Sequence, residues 1–353
     1  MSVKIPHYRL SFSENDYAAM REVLQSGQIA QGKQVAELEA TLARQLQTAY
    51  CCAVSSGTTA LTLALRALGA GAKDEVIIPS YTCTALWHAI KAVQADAVFA
   101  DIEPETFNLD PAEVRRHLSR RTKAIIFPHM FGQPGFIEEI LELGVPVIED
   151  IAQAYGAHIK HKPVGSFGTL SVISFYATKI LGAGEGGAVL SNSSNFIQQV
   201  RNLREYDEKD DLTLRYNAKM TDLTAALALS QIQQYPEKLR RRQVIYDKYA
   251  SILGSQLLLP RLLPDRQPNF YRCIASLKER TAAEVIALAE RYGITLRSPV
   301  FKPIHLYPNA AGPALSLTET AWRTQFSLPA FPDLSDEEIE VVIKFLKKIS
   351  NYE

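Results

Sequence analysis

A single lysine, Lys179, stands in the stretch SFYATKILGAGEGGAVL, with Gly182, Gly184, Gly186 and Gly187 just beyond it. A primary amine attacks carbonyl carbon and can form a Schiff base. Glycines let the backbone come close to a ligand. Gly182, Gly184 and Gly187 also satisfy G-x-G-x-x-G. That spacing binds dinucleotides only when a strand precedes it and a helix follows. Here the apolar run AVLSN follows and reads as a strand, so the order is reversed. The lysine is the better lead.

Four other places carry matching chemistry. Ser174, five residues before Lys179, offers a hydroxyl. In VIEDIAQAYGA, Glu149 and Asp150 close an apolar strand, where open α/β sheets place their ligands. An acid there can pair with a protonated ring nitrogen, the partner a pyridinium cofactor needs, and Gln153 can reach a neighbouring ring oxygen. The same acid can also cap a helix. In SSGTTAL, Gly57 is followed by Thr58 and Thr59 where a helix opens after a strand. Free backbone N–H groups, the helix dipole and the two hydroxyls suit a phosphate, although an ordinary N-cap reads the same way. Asn217, in RYNAKMTD, opens a long helix and offers a further polar contact. His158 and His161 lack a third ligand nearby and are taken as loop residues, with no metal expected.

These residues need a scaffold. The chain has 353 residues, ordinary apolar content and a formal net charge of zero. That balance gives no argument for nucleic acid or an anionic membrane as partner. The beginning lacks the apolar core of a signal peptide, and no apolar run is long enough to span a bilayer. The four cysteines fit neither zinc spacing nor a disulfide framework, so a cytoplasmic, reduced protein is expected. From Tyr50 to Asn192 apolar runs (CCAVSS, DEVIIPS, AVFADI, KAIIFP, VPVIED) alternate with helix-like segments, which argues for βαβ units and a mainly parallel sheet. GAHIKHKPVGSFG reads as a hairpin. The segment from Met220 to about Leu253 reads as one long helix, or two broken at Pro236. Beyond it, NFYRCIASL and ITLRS read as strands, TAAEVIALAERYG and the capped SDEEIEVVIKFLKKI as helices. The expected organisation is a large domain, 1–240, and a smaller α+β domain, 241–353.

Taken together, these segments resemble the DegT/DnrJ/EryC1/StrS family of pyridoxal-phosphate (PLP) sugar aminotransferases. QIAQGKQVAELE is similar to its opening segment and SSGTTAL to its phosphate loop. FPHMFGQP, with His129 and Gly132, resembles its V-H-x-x-G-x-P turn. VIEDIAQAYGA and GSFGTLSVISFYATKILGAGEGGAVLSN resemble its two most specific motifs, RYNAKMTDLTAALALSQ its G-Y-N-x-R-M segment, and SPVFKPIHLYP its P-L-H segment. The resemblance implies an aspartate-aminotransferase-like fold (fold type I) with a seven-stranded sheet. It implies that Lys179 holds PLP and moves the proton, and that Asp150 pairs with the ring nitrogen. Gln153 is then expected at the 3-oxygen, and Gly57, Thr58 and Ser174 at the phosphate. Asn217 matches a position that reaches the phosphate from the other subunit, which implies a homodimer with shared active sites.

The implied reaction passes an amino group from an amino acid donor, L-glutamate, to a keto group on a nucleotide-linked sugar. Three departures bear on the acceptor. Cys83 stands where the family often has an aromatic residue stacked on the ring, leaving Tyr81 or Trp87 as substitutes. Arg215 and Lys219 alter the G-Y-N-x-R-M segment. Arg272 stands where histidine is common. Alternatives are a PLP-dependent sugar dehydratase, an aminotransferase for a free cyclic ketone such as an inosose, and a non-catalytic PLP-binding regulator. Lys179 argues against the dehydratase, whose family members carry histidine there.

Overall fold

Short runs rich in valine and isoleucine become strands because their branched side chains fit a pleated, buried surface. The computed structural model describes residues 4–252, 257–310 and 312–350. In chain order its first nine strands are β1 (Tyr50–Val54), β2 (Glu75–Pro79), β3 (Asp96–Ala100), β4 (Thr122–Pro128), β5 (Val147–Asp150), β6 (His158–Ile159), β7 (Lys162–Pro163), β8 (Leu170–Ser174) and β9 (Gly187–Ser191). Seven of them form one sheet in the order β1-β9-β8-β5-β4-β2-β3. β9 runs against both neighbours, and the other six share one direction. β6 and β7 form the expected hairpin.

The helices are α1 (Glu14–Ser26), α2 (Lys33–Gln45), α3 (Gly57–Ala67), α4 (Ala85–Ala92), α5 (Pro111–His117), α6 (Ile137–Leu141), α7 (Ser194–Arg204), α8 (Asp222–Ala250), α9 (Ala282–Glu290), α10 (Ser316–Thr324) and α11 (Asp336–Ser350). Helices cover both faces of the sheet, so its central strands are buried throughout. Ile125, Ile126 and Phe127 of β4 are fully buried, and side chains of that size contribute about 1.5–3 kcal/mol each. One apolar cluster joins α2, α8 and one face of the sheet; a second joins α3, α4 and the other face. A third gathers Ile5, Ile245 and Tyr249 with residues from Cys273 to Ile349. Four short strands complete the fold: β10 (Leu257–Leu258), β11 (Arg266–Gln267), β12 (Cys273–Leu277) and β13 (Gln325–Leu328).

One sequence expectation changes and one open alternative is decided. ITLRS is not a strand: only Ile294 and Arg297 make isolated bridges, to Ile5 and Ser327. The partners come from opposite ends of the chain and meet the segment at single points, so no ladder forms. Pro236 does not break the long helix, since α8 runs through it. A proline inside a helix costs about 3 kcal/mol. α8 buries Ala225, Ala228 and Ile232 before Pro236 and Arg242, Ile245 and Tyr249 after it, and that packing outweighs the cost. Asp222, the first residue of α8, also accepts from the backbone N–H groups of Gly32 (2.8 Å), Gln34 (3.1 Å) and Val35 (3.0 Å). It thus caps α2, whose own N-cap, Gly32, has no side chain to do so.

Candidate active site

Successive strand residues point to opposite faces, and this separates the two acids that end β5. Glu149 turns away from the cleft. It accepts from the backbone N–H groups of Gly165 (2.5 Å), Phe167 (2.9 Å) and Gly168 (3.0 Å), and lies 3.0 Å from His129 Nε2. The Gly135 N–H donates to His129 Nδ1 at 3.2 Å, so Nε2 carries the hydrogen and donates it to Glu149. Glu149 therefore ties two loops together. Asp150 faces the cleft instead. Among the described residues its carboxylate has one hydrogen bond, from the Ala152 N–H at 2.9 Å. Burial raises its pKa, and the Ala152 hydrogen bond, Lys179 and His129 offset part of that rise. It is a buried carboxylate with no cation bonded to it among the described residues.

The other end of the cleft is the start of α3. The Ser56 hydroxyl caps it by accepting from the Thr59 N–H at 3.1 Å. The Gly57 and Thr58 N–H groups of the first turn stay available. The Thr59 hydroxyl is spent on Ser55 (3.3 Å) and Ser56 (2.8 Å), so of the two threonines only Thr58 lines the cleft. A Cβ on Gly57 would lie 2.7 Å from Ser174 Cβ. β8 and the helix start thus meet at a distance that only glycine allows. Gly57→Ala is expected to weaken PLP binding about 10- to 100-fold, the equivalent of the 1–3 kcal/mol that overpacking costs. Titrating the cofactor-free protein by PLP absorbance checks this.

Lys179 sits on the turn between β8 and β9. Backbone bonds from Ala177 N to Gly184 O (2.9 Å), Lys179 N to Tyr176 O (2.8 Å) and Ala183 N to Phe175 O (2.9 Å) hold that turn. A Cβ on Gly182 would meet Ala177 O at 2.4 Å, which explains one of the glycines. The strand after the glycines is β9, as the sequence implied, and no helix follows them. Lys179 Nζ lies 5.6 Å from the centre of the Tyr271 ring.

Gly57, Thr58, Cys83, Asp150, Ser174 and Lys179 line one cleft of about 280 Å³. Gln153 does not line this cleft, and its Oε1 accepts from the Phe131 N–H at 2.9 Å. Asn217 is exposed and does not line this cleft. Neither expected aromatic substitute is there. Tyr81 is fully buried and donates to Gln325 Oε1 at 2.8 Å, and Trp87 packs into the apolar cluster around α3 and α4. Tyr176, Ala85 and Glu185 line the cleft without having been singled out in the sequence. Tyr271 was missed as well: it is far from Lys179 in the chain, and nothing local marks it. Burial raises the Tyr271 phenol, but Lys179, Arg272 and hydrogen bonding from Thr178 and Arg272 bring it below its ordinary value. Arg215 and Lys219 are paired within their own segment, with Asp211 at 2.9 Å and Asp207 at 2.7 Å.

A nucleophilic amine, a buried acid short of a cation and a helix start with free N–H groups fit the three ends of PLP. The residues present suit the carbonyl, the ring nitrogen and the phosphate in turn. Fold and cleft together define a PLP-dependent transferase of fold type I.

The pattern of the DegT/DnrJ/EryC1/StrS aminotransferase family matches residues 11–347, and the chain belongs to that family. It is 33% identical over 370 aligned positions to a GDP-perosamine synthase from Caulobacter vibrioides, covering 99% of this chain and 98% of that one. It is 32% identical over 350 positions to a GDP-perosamine synthase from Escherichia coli O157:H7, covering 95% of each. Spr1654 from Streptococcus pneumoniae, solved in a PLP form, superposes with a TM-score of 0.93 at 27% identity over 99% of both chains. The protein is a PLP-dependent sugar aminotransferase.

Proposed function

We propose that the protein transfers the amino group of L-glutamate to the keto group of a nucleotide-linked deoxysugar. The observation that carries this is the single cleft holding Lys179, Asp150, Gly57, Thr58 and Ser174 together. The names of the two GDP-perosamine synthases support a GDP-linked keto-deoxysugar as the first acceptor to try.

Each residue then has a task. The Gly57 and Thr58 N–H groups and the Thr58 and Ser174 hydroxyls bind the phosphate at the positive end of α3. Asp150 would keep the ring nitrogen protonated, and Gln153, whose Oε1 is taken by the Phe131 N–H, would reach the ring through its amide nitrogen. The bound cofactor supplies an electron sink for the carbon that loses its proton. Lys179 Nζ would hold the cofactor at its carbonyl carbon and, as a free amine, would carry the proton between the two carbons.

Asn217 is read as serving the active site of a second copy in a homodimer. Its segment exposes Tyr206, Leu212 and Leu214, a row of apolar side chains that a partner would cover. The third apolar cluster supports a smaller domain from about residue 241 onward. A reducing, cytoplasmic compartment suits the four free thiols.

Incubation with PLP, L-glutamate and GDP- or other nucleotide-linked keto-deoxysugars, followed by mass spectrometry, tests the reading. An aminated nucleotide sugar with equimolar 2-oxoglutarate is expected. Amination of a free cyclic ketone alone would replace the acceptor.

A further inference from the structure

Residues 5–11 lie ahead of α1 and form neither a helix nor a strand ladder. Ile5, His7, Arg9 and Ser11 all bind the last part of the chain. The Ile5 N–H donates to the Gly293 oxygen at 2.8 Å, and the Ile5 oxygen accepts from the Thr295 N–H at 2.9 Å. His7 Nε2 lies 2.9 Å from Ser327 Oγ on β13. Arg9 pairs with Glu338 on α11 at 2.7 Å, and the Ser11 hydroxyl donates to the Asp333 carboxylate. Tyr8 departs from this pattern. Its hydroxyl donates to Ala177 O at 2.8 Å, in the turn that carries Lys179. Among the described residues, no other member of this segment is hydrogen-bonded to that turn.

The carbonyl that Tyr8 holds is tightly placed. A Cβ on Gly182 would lie 2.4 Å from that same oxygen, so the turn's own backbone packs against it. The next residue, Thr178, is hydrogen-bonded to the Tyr271 phenol. The two residues that precede Lys179 are therefore each held by a phenol, one from the start of the chain and one from its second half. Tyr8, Lys179 and Arg242 also line a narrow space of about 30 Å³, room for about one water and for no substrate. Tyr8 stays a donor across the working range of pH. Burial pushes its pKa up to about 12, with Arg242 opposing and Tyr271 and Asp333 adding.

We propose that Tyr8 is a positioning residue for Lys179: through Ala177 O it holds the lysine turn in register with the carboxyl-terminal part of the fold. The proposal rests on the role of Lys179 given above. A lysine amine sits on a long, flexible stem, so the backbone is the rigid part of its reach. Its task demands that rigidity. Nζ serves two carbons in turn, and a displacement of about 1 Å can cost about 100-fold in rate. The sheet alone does not place the turn. Lys179 lies beyond Ser174, the end of β8, and before Gly187, the start of β9, and the bonds from Ala177, Lys179 and Ala183 join the turn only to itself. Tyr8 and Tyr271 supply the outside reference, and Tyr8 carries it from Ser327 and Glu338 through its neighbours His7 and Arg9.

The test compares wild type with Tyr8→Phe, which keeps the ring and removes only the hydroxyl. Hydrogen exchange of the cofactor-free proteins reads the turn directly. Absorbance gives PLP affinity. Single-turnover kinetics with L-glutamate, and with L-glutamate deuterated at Cα, give the rate, the half-saturation and the isotope effect. In Tyr8→Phe the amides of Ala177, Lys179 and Ala183 are expected to exchange about 3- to 10-fold faster, and the half-reaction to slow by a similar factor. PLP affinity and half-saturation should be unchanged, and the isotope effect should stay at or above its wild-type value. Unchanged exchange in the turn overturns the proposal. So does a rate loss matched by an equal loss of PLP affinity, which would make Tyr8 a cofactor contact. An isotope effect that falls overturns it too, because the slowed step would then lie away from the proton transfer. A wild-type enzyme that binds PLP without the yellow band of a lysine-held cofactor overturns the role of Lys179 itself, and the proposal with it.

Discussion

Lys179→Ala folds, binds PLP without the yellow band of a lysine-held cofactor, and turns over at least about 10³-fold more slowly than wild type. The size of the loss follows from two duties resting on one atom. Nζ is the covalent attachment point and also the base that carries the proton. No other described lysine lines the cleft, so nothing replaces it. Stability is expected to change little. The turn is held by backbone bonds from Ala177, Lys179 and Ala183. The Tyr8 hydroxyl also donates to Ala177 O at 2.8 Å. What the side chain contributes to the fold is its position near the Tyr271 ring, a contact worth about 0.5–1 kcal/mol. Absorbance spectra and single-turnover kinetics of the two proteins check this. Turnover within ten-fold of wild type would remove Lys179 from the centre of the reaction.

Asp150→Asn separates activity from stability in opposite directions. Asparagine keeps the shape and can still accept from the Ala152 N–H, yet it cannot hold the ring nitrogen protonated. A loss of about 10²–10³-fold in kcat is expected, the scale of removing one preorganised electrostatic group. The cofactor-free protein should become more stable. Burial raises the Asp150 pKa above its unfolded value. The unfolded chain therefore gives up this proton first as pH rises, and the ionised carboxylate costs the folded state stability. That cost is absent below the unfolded pKa and complete above the folded one. The melting temperature of Asp150→Asn should match wild type in acid and exceed it at neutral pH. Adding PLP should reverse the order, because wild type alone gains the ion pair. Melting curves at acid and neutral pH, with and without PLP, check all three statements. A cofactor-free variant less stable than wild type at neutral pH would show that Asp150 is paired in the fold itself.

The sequence by itself determined the parts whose causes are local. Apolar runs bounded by glycine, proline and polar residues became β1 to β5. The reversed order around the glycines excluded the dinucleotide reading, and β9 now stands where a helix would have been needed. Ser56 caps α3, the ordinary N-cap that SSGTTAL also allowed, because a cap needs only three or four adjacent residues. Lys179, Asp150, Gly57, Thr58 and Ser174 were all marked by short motifs.

Only the tertiary structure decided what those residues meet. Placing β9 between β1 and β8 brings the start of α3 against Ser174, a contact across more than a hundred residues. The pleat of β5 assigned Asp150 to the cleft and Glu149 to the loops behind it. Tyr81 and Trp87, both near the cleft in the chain, turned away: Tyr81 is fully buried and bonded to Gln325, and Trp87 packs half-buried against the cluster around α3 and α4. Pro236 was carried through a helix by packing along its whole length. Arg242, Tyr271 and Arg272 came to Lys179 from the far half of the chain, where no spacing records the distance. Such meetings depend on which buried surfaces fit once the loops have closed, and that information is spread over the whole sequence.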